Sequence, residues 1–215
     1  MPPKVKFRKE EIVQAALDVA RVKGADGVTA RDIAAQLGVS TRPIFTYFNT
    51  MDEVKTAVRQ AAEQVYQDYT AKGLNADIPF LGFGLQYLRF AEEEPELYKL
   101  LFLTPPCDEN SGAVAAMTHT QGLVRDSLQR IYRINAAAAD RYFRDMWLVV
   151  HSLATLMVTG MVTGGCPYSQ EEMSHILTEC SVSLCMACKK IPGFAEGEFD
   201  RDAVFRALTQ ADTSE

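Results

Sequence analysis

Apolar residues recur every three or four positions along most of the chain, so helical spacing dominates its pattern. From Lys9 to Lys23 the positions Ile12, Val13, Ala16, Leu17, Val19 and Ala20 make one apolar stripe, and Gly24 and Gly27 supply a stop and a turn. A short helix is predicted from Thr29, with Asp32 as a capping partner, Ile33, Ala34 and Leu37 facing inward, and Gly38 at its end. Ser40 is the expected cap of the next helix, in which Ile44 and Phe48 lie one turn apart. Pro43 is tolerated near its start because its missing N–H has no helical partner there. Asn49 and Thr50 close that helix and cap a longer one over about Asp52–Lys72. Beyond Gly73 the pattern predicts helices near Asp77–Glu93, Pro95–Leu103, Gly112–Arg133, Ala137–Gly164, Ser169–Lys190 and Arg201–Gln210. Pro105-Pro106 and Gly164-Gly165 with Pro167 punctuate them, and no segment alternates as a strand would. The fold class is all-α: a three-helix unit over residues 1–60 and a larger helical domain over 61–215.

Two short helices joined by Gly38-Val39-Ser40 are the strongest local signal. Ala34 is small where the helices would cross, Gly38 permits a turn costly to other residues, and Val39 is placed to fill the gap between them. With Ile44 and Phe48 inward, Thr41, Arg42, Thr46 and Tyr47 project outward. Recognition helices read base edges from their N-terminal residues while neighbouring groups grip phosphate. Arg42 suits a bidentate contact to guanine, and Thr41 and Thr46 suit bases or thymine methyl groups.

The stretch from Gly27 through Val28, Thr29, Ala30, Arg31, Asp32, Ile33, Ala34, Ala35, Gln36 and Leu37 to Gly38-Val39-Ser40 is followed by Ile44-Phe45-Thr46-Tyr47-Phe48 and Asp52-Glu53-Val54. Across about residues 9–60 this resembles the DNA-binding signature of the TetR family. The resemblance implies DNA contact from Thr29, Thr41, Arg42 and Tyr47, with Ser40, Thr46 and Lys55 as further candidates. Two positions depart from the family pattern: Phe45 stands where Tyr is common, and Met51 where Lys is usual, for which Lys55 one turn later is a substitute.

The remainder is similar to the regulatory domain of a subgroup of that family. Phe90-Ala91-Glu92-Glu93-Glu94-Pro95-Glu96-Leu97-Tyr98-Lys99-Leu100-Leu101-Phe102 resembles that subgroup's turn between its fifth and sixth helices. Trp147, His151 and Leu153-Ala154 fall on its Trp…His-Gly-Leu-Ala pattern, with Ser152 in place of Gly. The resemblance implies a central apolar cavity for an inducer, and two last long helices that pair with their copies in a four-helix dimer interface. Trp147, His151, Thr155, Phe90, Tyr98 and Phe102 are the candidate ligand-binding residues. A core or interface role for His151, and core packing for the aromatic residues, is the other reading of each. His151, Thr155, Thr159 and Thr163 are spaced by four and form one polar line on an otherwise apolar helix, which requires partners across a seam or in a cavity.

Charge refines this picture. The net charge is −6, yet residues 1–60 hold ten Lys/Arg against seven Asp/Glu, leaving −9 for the rest. A basic head on an acidic body suits a reader of nucleic acid whose body avoids phosphate. The N-terminal Lys4, Lys6, Arg8 and Lys9 form either a DNA-touching arm or a solvated tail, and no apolar run follows them as in a secretory signal. Met146–Gln170 lacks acidic and basic residues, but its hydroxyls, glycines and His151 favour a buried helix over a membrane span. The five cysteines, four within 23 residues, read as reduced thiols in a cytoplasm. Cys185 and Cys188 share a helix face, with Cys180 and His175 upstream. Packing is the simpler reading, and a metal or thiol sensor the alternative. Glu92–Glu94 is expected to be a solvated corner.

The expected function is a ligand-responsive transcriptional regulator, a repressor by family resemblance. It would bind double-stranded DNA as a homodimer on a palindrome-like operator and be released by a small, largely apolar ligand. No cofactor, metal or membrane partner is expected. No enzyme is expected either: there is no Gly-rich phosphate loop, and three scattered histidines lack spaced carboxylates. The alternatives are a helical ligand-binding or protein-interaction module with a weak DNA head, and a thiol or metal sensor on the same scaffold.

Overall fold

The computed structural model describes residues 7–105, 109–163, 168–194, 196 and 198–210. Among these residues there are helices and no strand. In chain order they are α1 (Lys9–Lys23), a 3-10 turn (Ala25–Gly27), α2 (Ala30–Leu37), α3 (Ile44–Tyr47), α4 (Met51–Leu74), α5 (Pro79–Glu93), α6 (Pro95–Tyr98) running into a π turn (Lys99–Leu103), α7 (Gly112–Tyr132), α8 (Ala136–Thr163), α9 (Gln170–Lys190) and α10 (Arg201–Gln210).

Most boundaries follow the caps read from the sequence. The backbone N–H of Asp32 donates to Thr29 Oγ1 at 3.2 Å, and that of Glu53 to Thr50 Oγ1 at 3.2 Å. Ser169 caps α9 in a reciprocal box with Glu172. Three boundaries differ. Ser40 does not cap α3. Residues 41–43 form a turn in which the Ile44 N–H donates to the Thr41 carbonyl, and the helix starts only after Pro43, whose ring fixes φ at −58°. Helix α5 begins at Pro79 rather than Asp77, since a proline suits the first helical position. The segment expected as one helix over Pro95–Leu103 widens to a π turn at Lys99, where Arg59 draws its carbonyls aside.

Helices α1–α3 close a small core over Ile12, Ala16, Ile33, Ile44 and Phe48, and the first half of α4 packs beneath them through Val54 and Val58. Val39 is half-buried and fills little; its N–H instead closes α2 by donating to the Ala34 carbonyl at 2.9 Å. Gly38 takes φ 67°, ψ 32°, the left-handed conformation that this turn requires.

Helix α4 is 24 residues long and continues into the body, where it crosses α5 at two glycines. A Cβ at Gly82 would sit 2.3 Å from the Gly73 carbonyl oxygen, so nothing larger permits this approach. Helix α8 packs on α5 and α7 through Phe143, Trp147, Val150 and Ala154. The inner face of its charge-free stretch, with Val150, Leu153, Ala154, Met157 and Val158, is thus buried in a helical body. No described helix is long and apolar enough to cross a membrane.

Candidate functional site

The head presents one exposed face. Ser40, Arg42, Thr46 and Tyr47 are exposed, Thr41 is half-buried beside them, and Thr29 lies exposed at the start of α2. This set is held by its surroundings: Ile44 and Phe48 are buried below it, and the Thr46 hydroxyl donates to the Arg42 carbonyl at 3.2 Å. The Tyr47 hydroxyl donates to the Phe7 carbonyl at 2.8 Å, which ties the start of the chain to the end of α3. Lys9 lies over the Phe48 ring, 5.1 Å from its centre. Lys55 is exposed on α4. The two departures from the family pattern have visible consequences: Phe45 stands 49% exposed with no hydroxyl to offer, while Met51 packs against the core. Asp32 is bound by Lys23 and by the Thr29 hydroxyl, which hold its carboxyl below the usual range.

In the body, Phe90, Tyr98, Phe102, Trp147, His151 and Thr155 gather into one cluster. Trp147 stacks on His151 with ring centres 4.6 Å apart, and Tyr98 and Phe102 meet edge to face at 5.1 Å. His151 Nδ1 is 2.9 Å from the Tyr87 hydroxyl and 3.0 Å from that of Tyr98, which also lies 3.0 Å from Thr155 Oγ1. Burial lowers the His151 pKa from its ordinary value, so the neutral ring is favoured. The polar line on α8 therefore splits. His151 and Thr155 turn inward, whereas Thr159 is exposed and donates back to the Thr155 carbonyl; the Thr163 side chain lies outside the described residues.

A cavity of about 460 Å³ opens beside this cluster, between α4 and α7 and against the π turn. Glu63, Tyr66, Gln67 and Thr70 line one side, Ala116, His119 and Thr120 the other, and Leu101 and Phe102 the back. Of the six ligand candidates, Phe102 lines it; Phe90, Tyr98 and Trp147 are buried behind it, and His151 and Thr155 are half-buried. Tyr66, Thr70 and Thr120 escaped the sequence reading. The signal for the first two was a pair of hydroxyl residues one turn apart on the inner side of α4; Thr120 stands on α7.

Head and body are joined by two arginines that the sequence reading did not single out. Arg59 of α4, 6% exposed, donates to the Leu100 and Leu101 carbonyls at 2.8 and 3.1 Å and to Thr104 Oγ1 at 3.2 Å. Arg21 of α1 grips Glu94 through Nε and the terminal nitrogen at 2.9 Å. The Glu92–Glu94 run is thus not merely a solvated corner: Glu94 docks the head, and Glu93 binds Arg89 and the Tyr69 hydroxyl, because the α5–α6 bend faces α1 and α4.

Cys180, Cys185 and Cys188 carry free thiols, and burial pushes the Cys188 thiol up, away from the reactive thiolate. Among the described residues no cluster of His, Cys, Asp or Glu is placed to hold a metal. Cys107 and Cys166 lie outside the described residues.

A helix-turn-helix head on a helical body that carries a cavity defines a class of DNA-binding regulator. Residues 12–66 match the model of the bacterial regulatory proteins of the tetR family, and residues 80–180 that of the tetracyclin repressor-like C-terminal domain. The chain belongs to the TetR family of transcriptional regulators. The fold is also that of a glutamine-to-alanine TetR variant from Acinetobacter baumannii AYE in complex with minocycline, with a TM-score of 0.55 at 16% identity over 86% of this chain and 98% of that one. It is similar as well to a TetR-like transcriptional regulator from Rhodococcus sp. RHA1, with a TM-score of 0.50 at 16% identity over 85% and 96% of the two chains. No curated protein matches the chain by sequence.

Proposed function

We propose that this protein is a ligand-responsive repressor. A homodimer sets two α3 helices on a palindrome-like operator in double-stranded DNA, and a small, largely apolar molecule releases it. The observation that carries this reading is the course of α4. Its first turn is capped directly after α3, and its last turns, from Glu63 to Leu74, wall the cavity. A molecule that moves this wall moves the base of the reading head, provided it binds the two arrangements with different affinity. Thr29, Ser40, Thr41, Arg42, Thr46, Tyr47 and Lys55 face DNA in this reading. The aromatic cluster around His151 transmits strain behind the ligand, with Phe102 touching it.

The dimer is supported by unpartnered apolar side chains on the two long helices. Leu148 and Leu156 of α8 and Val182 and Met186 of α9 are 42–58% exposed. The test is binding of the purified protein to DNA from its own upstream region across a salt series. Arg42→Ala should weaken selective binding at least about tenfold, as loss of a bidentate base contact does, with the dimer intact. Loss of dimerisation in that variant, or equal binding to unrelated DNA by the parent, would refute the assignment.

A further inference from the structure

The wall of the α4–α7 cavity constrains the chemistry of its occupant. Its mouth is exposed and polar, with Gln67, Asn110 and His119, while Tyr66, Thr70, Thr120 and Leu101 at the inner end are buried. Among the described residues no Lys or Arg lines it, and the one carboxylate, Glu63, stands 3.9 Å from Arg59 Nε. An organic anion would find no countercharge among these lining residues.

The inner wall also holds unmet hydrogen-bonding capacity. The buried hydroxyls of Tyr87, Tyr98 and Tyr142 meet His151, Thr155 and Ser181 respectively. Among the described residues neither the Tyr66 hydroxyl nor that of Thr70, one turn further along α4, makes a well-formed hydrogen bond, although the Thr70 and Thr120 hydroxyls lie near enough to the phenol to act on it. Both residues line the cavity, and each is 8% exposed. Buried hydroxyls without partners are uncommon and costly, and a ligand with a matching atom relieves them. Around them, Tyr66 and Phe102 meet edge to face at 5.1 Å and supply ring surface.

We infer, building on the ligand-domain reading above, that the cavity takes an uncharged, ring-bearing molecule that presents an acceptor oxygen to the Tyr66 and Thr70 hydroxyls. Burial raises the Tyr66 phenol to about 12, against the opposing pull of Thr70 and Thr120, so it stays protonated and donates. The volume of about 460 Å³ admits a two- or three-ring compound.

The test is a matched pair of probes, fluorenone and fluorene, which share a shape and differ by the carbonyl, with fluorene-9-carboxylate as the anionic third. Binding is measured by equilibrium dialysis on the full chain. Fluorenone should bind about fivefold tighter than fluorene, the worth of one hydrogen bond. Tyr66→Phe should bring that ratio near one while the free protein melts close to the parent, since the lost hydroxyl made no well-formed hydrogen bond. Thr70→Val should narrow the ratio too, and Ala116→Trp, which fills the cavity, should abolish binding of both. Equal binding of the pair by the parent, a ratio unchanged in both hydroxyl variants, tightest binding of the carboxylate, or no binding at all would each overturn the inference. DNA binding measured in parallel without probe reports on the regulator reading separately.

Discussion

Arg59 offers the sharpest test of how the head is joined to the body. Its guanidinium is buried and donates three hydrogen bonds, two of them to carbonyls of the π turn. Replacing it by Met keeps the aliphatic stem and removes the fork. The Leu100 carbonyl retains the Thr104 hydroxyl at 2.6 Å, whereas the Leu101 carbonyl loses its Arg59 donor. Hydrogen bonds to a charged group are worth about 1.5–3 kcal/mol each, and removing a buried charge returns part of that. The net loss should be about 2–3 kcal/mol. With a urea dependence of about 2 kcal/mol per molar, the unfolding midpoint falls by about 1 M, measured at fixed protein concentration because assembly contributes to stability. Arg59→Lys should recover less than half, since an ammonium cannot span both carbonyls. A midpoint for Arg59→Met within about 0.2 M of the parent would refute the idea that this side chain fastens α4 to the π turn.

Three further outcomes are expected. His151 has a pKa below its ordinary 6.5 in the folded protein, so the unfolded chain binds the proton first; stability is full above that value and falls as pH drops from it toward the folded pKa, by at most about 1.4 kcal/mol per pH unit. Urea melts between pH 7.5 and 5.5 should show this slope, and His151→Gln should flatten it. Gly38→Ala should cost about 1 kcal/mol, because its Cβ meets open space and only the left-handed backbone resists; Gly82→Ala should cost well over twice that in the same melts, because backbone stands in the way. Tyr47→Phe should loosen the start of the chain, raising amide exchange at Phe7 and Arg8 while leaving the melting temperature nearly unchanged, and an unaltered exchange pattern would show that the hydroxyl does not hold it.

The local architecture of the head was legible in order because its signals are short-range. A cap such as Thr29, a left-handed glycine at 38, and the pair Ile44 and Phe48 each act within a turn or two. Even there, Ser40 misled, since the proline at 43 delays the helix past the point a cap could reach. The helices of the body were likewise legible from periodicity, and the aromatic residues near Trp147 and His151 did come together.

What periodicity cannot carry is which buried faces meet and what they leave between them. The cavity exists because α7 stands off from α4 at Tyr66 and Thr70, whereas α5 is drawn tight against α4 by Gly73 and Gly82. Arg59 reads in the chain as one more surface cation, and Glu94 as one acid of a solvated run. Their roles depend on partners 41 and 73 residues away. Hydrophobic spacing specifies which side of a helix is buried, because that depends on rotation about one axis. The matching of donor to acceptor across helices depends on how those axes are stacked, and that was decided only by the tertiary structure.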